Sequence, residues 1–214
     1  MDIGRAIQFW LQDPDWIKKV LIGGVLLLVP IIGWLIVSGY YLRHVQNVIA
    51  GNDNVLPEWD QWGEDLARGV KVLVVFIAWM LPVIVLQICS TIFSAGEGIA
   101  GGTMGLLFGC LGFLVSLAVT FVTPLFVGRL AKREEIADAF QFADIIQEAQ
   151  RIPAQLLIYV VVAYAVGIVA GFGLILCIIG VVFTLFLAYM ITGHLVGQLR
   201  RMLDAEAPAQ GAAS

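Results

Sequence analysis

The sequence predicts an all-α protein, a polytopic bundle of transmembrane helices forming one integral membrane domain over residues 1–206. Hydrophobic residues make up 60% of the chain and charged residues 13%, with a mean hydropathy of +0.94. Soluble domains are about 45–50% apolar and ~25% charged, so lipid must cover much of this chain. Four runs contain no Asp, Glu, Lys or Arg, over 20–42, 72–96, 98–128 and 152–199.

About 20 apolar residues span a bilayer as a helix, so the last run suits two spans folded back at Gly171-Phe172-Gly173. Small residues dominate the tail over 207–214, which we expect to be disordered. The apolar segments are expected over about 20–42, 69–92, 104–126, 153–169 and 174–196, with amphipathic helices over about 57–68 and 134–151.

The first apolar segment carries Pro30 near its middle. Proline lacks an N–H and clashes with the preceding turn, so 20–42 is either one kinked span or a hairpin that enters and leaves on one side. Basic residues near span ends favour the cytoplasm. The hairpin puts all 12 Lys and Arg on the cytoplasmic side with both termini, whereas a single span leaves Arg5, Lys18 and Lys19 outside. We favour the hairpin, although arms of about ten residues at ~1.5 Å each cover only half of a ~30 Å core.

The two amphipathic helices are acidic rather than basic. Trp59 and Trp62 share one face of the first, and acidic residues take the other. In the second, apolar residues recur every three or four positions. Helices that bind anionic lipid are usually rich in Lys and Arg, so we expect both to pack on the cytoplasmic face of the protein itself.

The two amphipathic helices and the segments after them resemble each other. Trp62 aligns with Phe142 and Leu66 with Ile146, and each helix leads into a span, a glycine-rich turn and a return span. This pattern predicts a unit of surface helix, span, turn and span, used three times with the first copy shortened. The alternative is that apolar helices are alike by composition alone.

Two sets of residues are candidates for function. Small residues one turn apart let helices approach closely in lipid, so we expect packing at Gly193 and Gly197, with self-association as the alternative. Gln87 is expected to pair with a neighbouring helix or to line a polar pathway. His194 and His44 are expected near the inner interface, hydrogen-bonded there, with a metal or proton role as the alternative. The structural and interface candidates are Trp16, Pro30, Trp59, Trp62, Gly193, His194 and Gly197, and the polar in-membrane candidates are Gln87 and Thr120.

The chain shows no hydrolytic, nucleotide-binding or redox signature, and we predict no catalytic residue, cofactor or metal site. Without a basic patch, nucleic acid is not an expected partner. Cys89, Cys110 and Cys177 lie in apolar runs and read as buried apolar side chains, with a Cys89–Cys110 disulfide as the alternative.

The segment Leu56-Pro-Glu-Trp-Asp-Gln-Trp-Gly63, together with Trp16-Ile-Lys-Lys and Gly193-His-Leu-Val-Gly-Gln198, resembles a prokaryotic multi-pass membrane family known as domain of unknown function 4013. The resemblance implies this fold in a prokaryotic inner membrane and implies no activity. We therefore expect a non-enzymatic accessory subunit or membrane-organising scaffold, in contact with lipids and with a second copy or another membrane protein. A small transporter or channel is the alternative.

Overall fold

The computed structural model describes residues 1–53, 55–96, 99–173 and 177–211. Within these residues the chain is helical and has no strand, which confirms the all-α prediction. The helices are α1 (Ile3–Gln8), α2 (Trp16–Leu27), α3 (Ile32–Ile49), α4 (Trp62–Ser94), α5 (Ile99–Arg133), α6 (Phe142–Arg151), α7 (Pro153–Gly171) and α8 (Cys177–Gly211), with short 3-10 helices at Phe9–Gln12 and Ile136–Phe140.

Within the described residues, four helices are long and apolar enough to cross a membrane. They are α4, α5, α7 and the part of α8 over Gly180–Glu206. The predicted segments 69–92, 104–126 and 153–169 each lie within one of these helices. The chain is an integral, multi-pass membrane protein.

The first apolar segment is divided into two helices. α2 ends at Leu27 and α3 begins at Ile32, with Pro30 in the turn between them. Ile31 has φ +65°, a backbone conformation that L side chains rarely adopt. The Trp34 indole N–H donates to the Leu27 carbonyl oxygen at 2.8 Å and ties the turn together. Neither helix is among the four candidate spans, so the broken arrangement is the one observed.

The amphipathic helix predicted over 57–68 is wrong as a separate element. Residues 55–61 form an irregular loop, and α4 begins only at Trp62. The reason is tertiary, because side chains of α2 and α3 bind the carbonyl oxygens of this loop in place of helical N–H groups. The second predicted helix, over 134–151, is split at Gln141, whose φ of −78° and ψ of 74° are not helical.

α8 continues through Gly211, and residues 212–214 lie outside the described part of the chain, so the disordered tail over 207–214 stays a prediction. The predicted start of the last apolar segment at 174 also lies outside it. The internal repeat stays a prediction, since α6 precedes α7 as expected but no separate surface helix precedes α4.

Glycines set the closest helix crossings. A Cβ at Gly39 of α3 would lie 1.7 Å from the Asp65 carbonyl oxygen, and one at Gly69 of α4 would lie 1.8 Å from the Leu35 carbonyl oxygen. No other residue permits that approach of α3 to α4. α3 also contacts α2, α5 and α8, so it lies at the centre of the bundle.

The hairpin of α4 and α5 extends away from this centre. The buried residues of α4 all lie between Asp65 and Val75. Beyond that point α4 exposes large apolar side chains such as Leu81 and Ile88, which are 55% and 53% accessible. The bundle core is therefore concentrated toward the end of α4 that carries its charges.

Candidate functional site

Ion pairs gather at one end of the bundle. They involve the start of α4, the ends of α5 and α8, and the N-terminal segment. We call this set the charged layer, and its members include Arg5, Asp13, Lys19, Arg43, Asp53, Asp65, Arg68, Lys71, Arg129, Glu134, Glu148, Arg200, Arg201 and Asp204. These contacts place Arg5, before α2, and Lys19, in its first turn, on the same side as the basic residues Arg200 and Arg201 of α8.

Asp53 joins three parts of the chain. Its carboxylate accepts from Arg5 at 2.6 Å and from Arg201 at 3.1 Å. The Asp2 backbone N–H also donates to the Gln198 side chain at 2.7 Å. The N-terminal segment is thus bound to the end of α8, which a first segment spanning the membrane once would not allow.

A buried lysine holds the 55–61 loop in place. The Lys19 ammonium donates to Asp13 at 2.8 Å and to the Leu56 carbonyl oxygen at 2.9 Å. Burial lowers the pKa of Lys19, but the hydrogen bonds to Asp13 and Glu58 outweigh it and leave that pKa raised. Lys19 therefore stays charged, and α2 is attached to the loop by an ion pair.

The same loop is held from α3. The Tyr40 hydroxyl donates to the Pro57 carbonyl oxygen at 2.7 Å, and Arg43 donates to the Glu58 carbonyl oxygen at 2.6 Å. Trp59 stacks on the Tyr40 ring at 3.9 Å between ring centroids. The predicted interface residue Trp59 is therefore half-buried within its own chain, whereas Trp62 is 43% exposed.

Glu134 connects the end of α5 to α4. Its carboxylate accepts from Arg68 at 2.9 Å and from Lys71 at 3.0 Å, and Gln46 adds an amide donor at 2.9 Å. Burial raises the pKa of Glu134, but these donors outweigh it and lower the pKa to about 2. The carboxylate is charged at any physiological pH.

His44 and His194 come together, but not as expected. Their ring centroids are 5.7 Å apart, and the Phe9 ring stacks on both, at 4.8 Å and 4.5 Å. Both histidines are fully buried, and their ring nitrogens have no hydrogen-bond partner among the described residues. The predicted interfacial hydrogen bonds are not found among the described residues, where an aromatic side chain from the N-terminal segment lies beside both imidazoles. No group of three metal-ligating side chains occurs in the part of the chain that is described.

Three more of the predicted structural residues pack against neighbouring parts of the chain. Gly193 and Gly197 face α3, where an added Cβ would lie 2.8 Å from Tyr41 and 2.5 Å from Val48. Trp16 packs edge-on against Trp10 at 4.6 Å.

The two polar candidates differ. The Thr120 hydroxyl donates to the Ser116 carbonyl oxygen one turn earlier in α5. The Gln87 side chain is exposed and makes no hydrogen bond with the described residues. Cys89 and Cys110 are free thiols, and the Cys177 side chain lies outside the described part.

Two apolar cavities adjoin the α2–α3 turn. One of about 370 Å³ lies between α3, α7 and α8, and the other, of about 520 Å³, lies between α3, α4 and α8. Trp34, Ser38 and Tyr189 line both. Their volumes fall within the ~300–1,000 Å³ range of small-molecule sites, and Pro30 lines the larger one.

Sequence reasoning missed the roles of Ser38, Tyr189 and Phe9. A serine or tyrosine in an apolar helix is usually satisfied locally, so neither stood out. Arg43 and Asp65 could have been paired from the rule that buried charges are compensated, but only the tertiary structure shows which charges are buried.

Comparison with known proteins gives one match. A family described as protein of unknown function DUF4013 matches residues 22–179, a range that includes the 55–61 loop and Gln87. No curated protein and no solved structure matches the chain. Since the match covers well over half of the sequence, this chain belongs to the family described as protein of unknown function DUF4013.

Proposed function

We propose that this protein is a non-enzymatic membrane protein, an accessory subunit or membrane-organising scaffold that binds another membrane helix. In this proposal it resides in a prokaryotic inner membrane with both termini in the cytoplasm, surrounded by lipid, and does not bind nucleic acid. The observation that carries the proposal is Gln87, a polar side chain exposed on the projecting half of the α4–α5 hairpin.

The position of Gln87 makes its exposure costly. Lys71 of the charged layer marks one interface, and Gln87 follows it by about 24 Å along α4 at ~1.5 Å per residue, still inside a ~30 Å hydrocarbon core. An amide in apolar surroundings without a hydrogen-bond partner costs about 2–7 kcal/mol. A polar group on a neighbouring transmembrane helix would remove that cost.

The surroundings of Gln87 suit a helix. α4 and α5 pack against each other along one face of each helix, where the Ser90 hydroxyl donates to the Gly105 carbonyl oxygen at 2.7 Å. A Cβ at Gly112 would lie 3.4 Å from the Gln87 amide nitrogen, so the exposed amide lies at the edge of the contact between α4 and α5. The outward faces carry apolar side chains such as Ile84, 47% accessible, and Leu107, 62% accessible.

Native mass spectrometry after gentle transfer into nanodiscs tests the proposal. The parent should retain a protein partner or a second copy, and Gln87→Leu should lower the occupancy of that complex about threefold to tenfold, the size of one interhelical hydrogen bond. Thr91→Val is the matched control, because Thr91 lies one turn away, is exposed, and bonds to the Gln87 carbonyl oxygen of its own helix. A monomeric parent, or equal occupancy in Gln87→Leu and the parent, would contradict the proposal.

A small transporter or channel is the second candidate, favoured by the cavities at the α2–α3 turn. A path for a polar solute would expose Thr120 or Gln87 to water. Cysteines introduced at these positions, in a background lacking the native thiols, should then react with a water-soluble maleimide. Failure of both to react would count against transport of a polar solute.

A further inference from the structure

The two cavities beside the α2–α3 turn share one polar point. Ser38 and Tyr189 both line each cavity, and a hydroxyl can both donate and accept a hydrogen bond. The other walls are mostly apolar side chains such as Leu27, Phe76 and Leu185.

Small residues on α7 keep the smaller cavity open. Ala163 and Gly167 line it, and a Cβ added at Gly167 would meet no atom within 4 Å. This contrasts with Gly193 and Gly197 of α8, where an added Cβ would meet α3. The small-residue pattern of α7 therefore makes room for something other than a helix of this chain.

The cavities lie at the depth of lipid tails. α2 runs from Lys19 in the charged layer to its end at Leu27, about 12 Å at ~1.5 Å per residue. That is less than half of a ~30 Å hydrocarbon core, so the turn lies within the bilayer. Ile31 and Trp34 at the turn are 73% and 61% accessible, and at this depth the two side chains face the hydrocarbon core.

We propose that the double cavity binds one phospholipid, with an acyl chain in the apolar space and an ester carbonyl oxygen accepting from the Ser38 hydroxyl. Ser38 lies about 7.5 Å along α3 from Arg43 of the charged layer, at ~1.5 Å per residue. This depth places it just inside the boundary where the glycerol esters lie. The inference goes beyond the proposed scaffold role and does not depend on Gln87.

Photolabelling tests the proposal directly. The probe is phosphatidylcholine with a diazirine in the middle of one acyl chain, incorporated into nanodiscs with the full-length protein, and the labelled peptides are identified by mass spectrometry. Labels should concentrate on Trp34 and on the α8 segment over 185–192, rather than spread evenly over lipid-facing positions such as those of α4. Even labelling of all lipid-facing helices would overturn the proposal.

Gly167→Leu and Gly171→Leu make a matched pair. Both positions lie on α7 one turn apart, and a Cβ at either meets no atom within 4 Å, but only Gly167 lines the cavity. Gly167→Leu should lower the α8 labelling about tenfold, as expected for overfilling a binding site, and Gly171→Leu should leave it unchanged. Equal labelling in Gly167→Leu and the parent would overturn the site.

The bound mass and the polar contact are tested separately. Native mass spectrometry of the parent should show one retained phospholipid, and Ser38→Ala should lower its occupancy about threefold, the size of one neutral hydrogen bond. A retained free fatty acid in place of a phospholipid would overturn the assignment of the ligand. Because Gln87→Leu acts on protein partners and Gly167→Leu on lipid, failure of one proposal is distinguishable from failure of the other.

Discussion

Replacing Arg43 by methionine should destabilise the bundle through the carboxylate that it leaves behind. Asp65 is fully buried and accepts from Arg43 at 2.7 Å and from Arg68 at 3.1 Å. Removing one partner of a buried ion pair costs about 3–5 kcal/mol. Because Arg68 remains in place, the lower end, about 3 kcal/mol, is expected, and this corresponds to a fall in Tm of about 6–12 °C for a chain of this length.

Thermal unfolding in detergent micelles, followed by the loss of the monodisperse peak in size-exclusion chromatography, measures the effect. Asp65→Asn in the Arg43→Met background removes the stranded charge, so the double variant should recover about 1–3 kcal/mol relative to the sum of the single variants. Arg133→Met is the matched control. Arg133 is 66% exposed and lies 3.7 Å from Asp138, and a surface pair of this kind contributes at most about 1 kcal/mol.

Two results would contradict the role assigned to the Arg43–Asp65 pair. One is an Arg43→Met variant whose Tm falls no further than that of the Arg133→Met control. The other is strict additivity of the Arg43 and Asp65 substitutions, because it would mean that the two side chains do not stabilise each other across the α3–α4 crossing.

Three further predictions concern packing and pH. Gly39→Ala should destabilise the fold by at least about 1–3 kcal/mol in the same melting assay, since its Cβ would overlap a backbone oxygen. Gly63→Ala, whose Cβ meets nothing within 4 Å, should not destabilise it. Equal effects of the two substitutions would argue against the close crossing of α3 and α4. Burial, reinforced by the neighbouring histidine, lowers the pKa of His44 to about 3 from the ordinary 6.5. The folded state therefore favours the neutral imidazole, and the stability that depends on it is complete above pH 6.5 and is lost as the pH falls toward 3. Between pH 7 and pH 5 the parent should lose about 2 kcal/mol more than His44→Leu. Equal losses in the parent and in His44→Leu would speak against the buried neutral imidazole. Trp59→Ala should lower protein abundance in membranes on an immunoblot, through a loss of about 2 kcal/mol of packing, and Trp62→Ala should lower it less; the reverse order would count against the intramolecular stack.

Local properties of the chain were sufficient to predict the membrane-spanning helices. Hydropathy and length identify α4, α5 and α7, because a span in lipid must satisfy its backbone hydrogen bonds within itself. Pro30 marks the break between α2 and α3 for the same reason, since a proline cannot take part in that internal ladder. The sequence also predicted that the basic residues lie on one side, once the first apolar segment was interpreted as a hairpin.

The candidate sites could not be predicted in this way. The sequence favours a helix over 57–68. In the structure, three carbonyl oxygens of the 55–61 loop accept hydrogen bonds from the Lys19 ammonium, the Tyr40 hydroxyl and the Arg43 guanidinium. These bonds stabilise the loop in a non-helical conformation. Those donors lie on other helices, so no local pattern around Trp59 indicates them.

Composition and residue type by themselves determined that this chain is an all-α membrane protein with a broken first segment. Apolar side chains favour lipid wherever they lie in the chain, and a proline interrupts a helix through its own backbone. Helix packing was needed to separate the glycines that form crossings from those that leave gaps, as with Gly39 against α4 and Gly167 beside a cavity. It was also needed to bring Phe9 against His44, and to place Ser38 and Tyr189 on the walls of the same two cavities. These are contacts between residues distant in the chain, and their geometry depends on how whole helices pack.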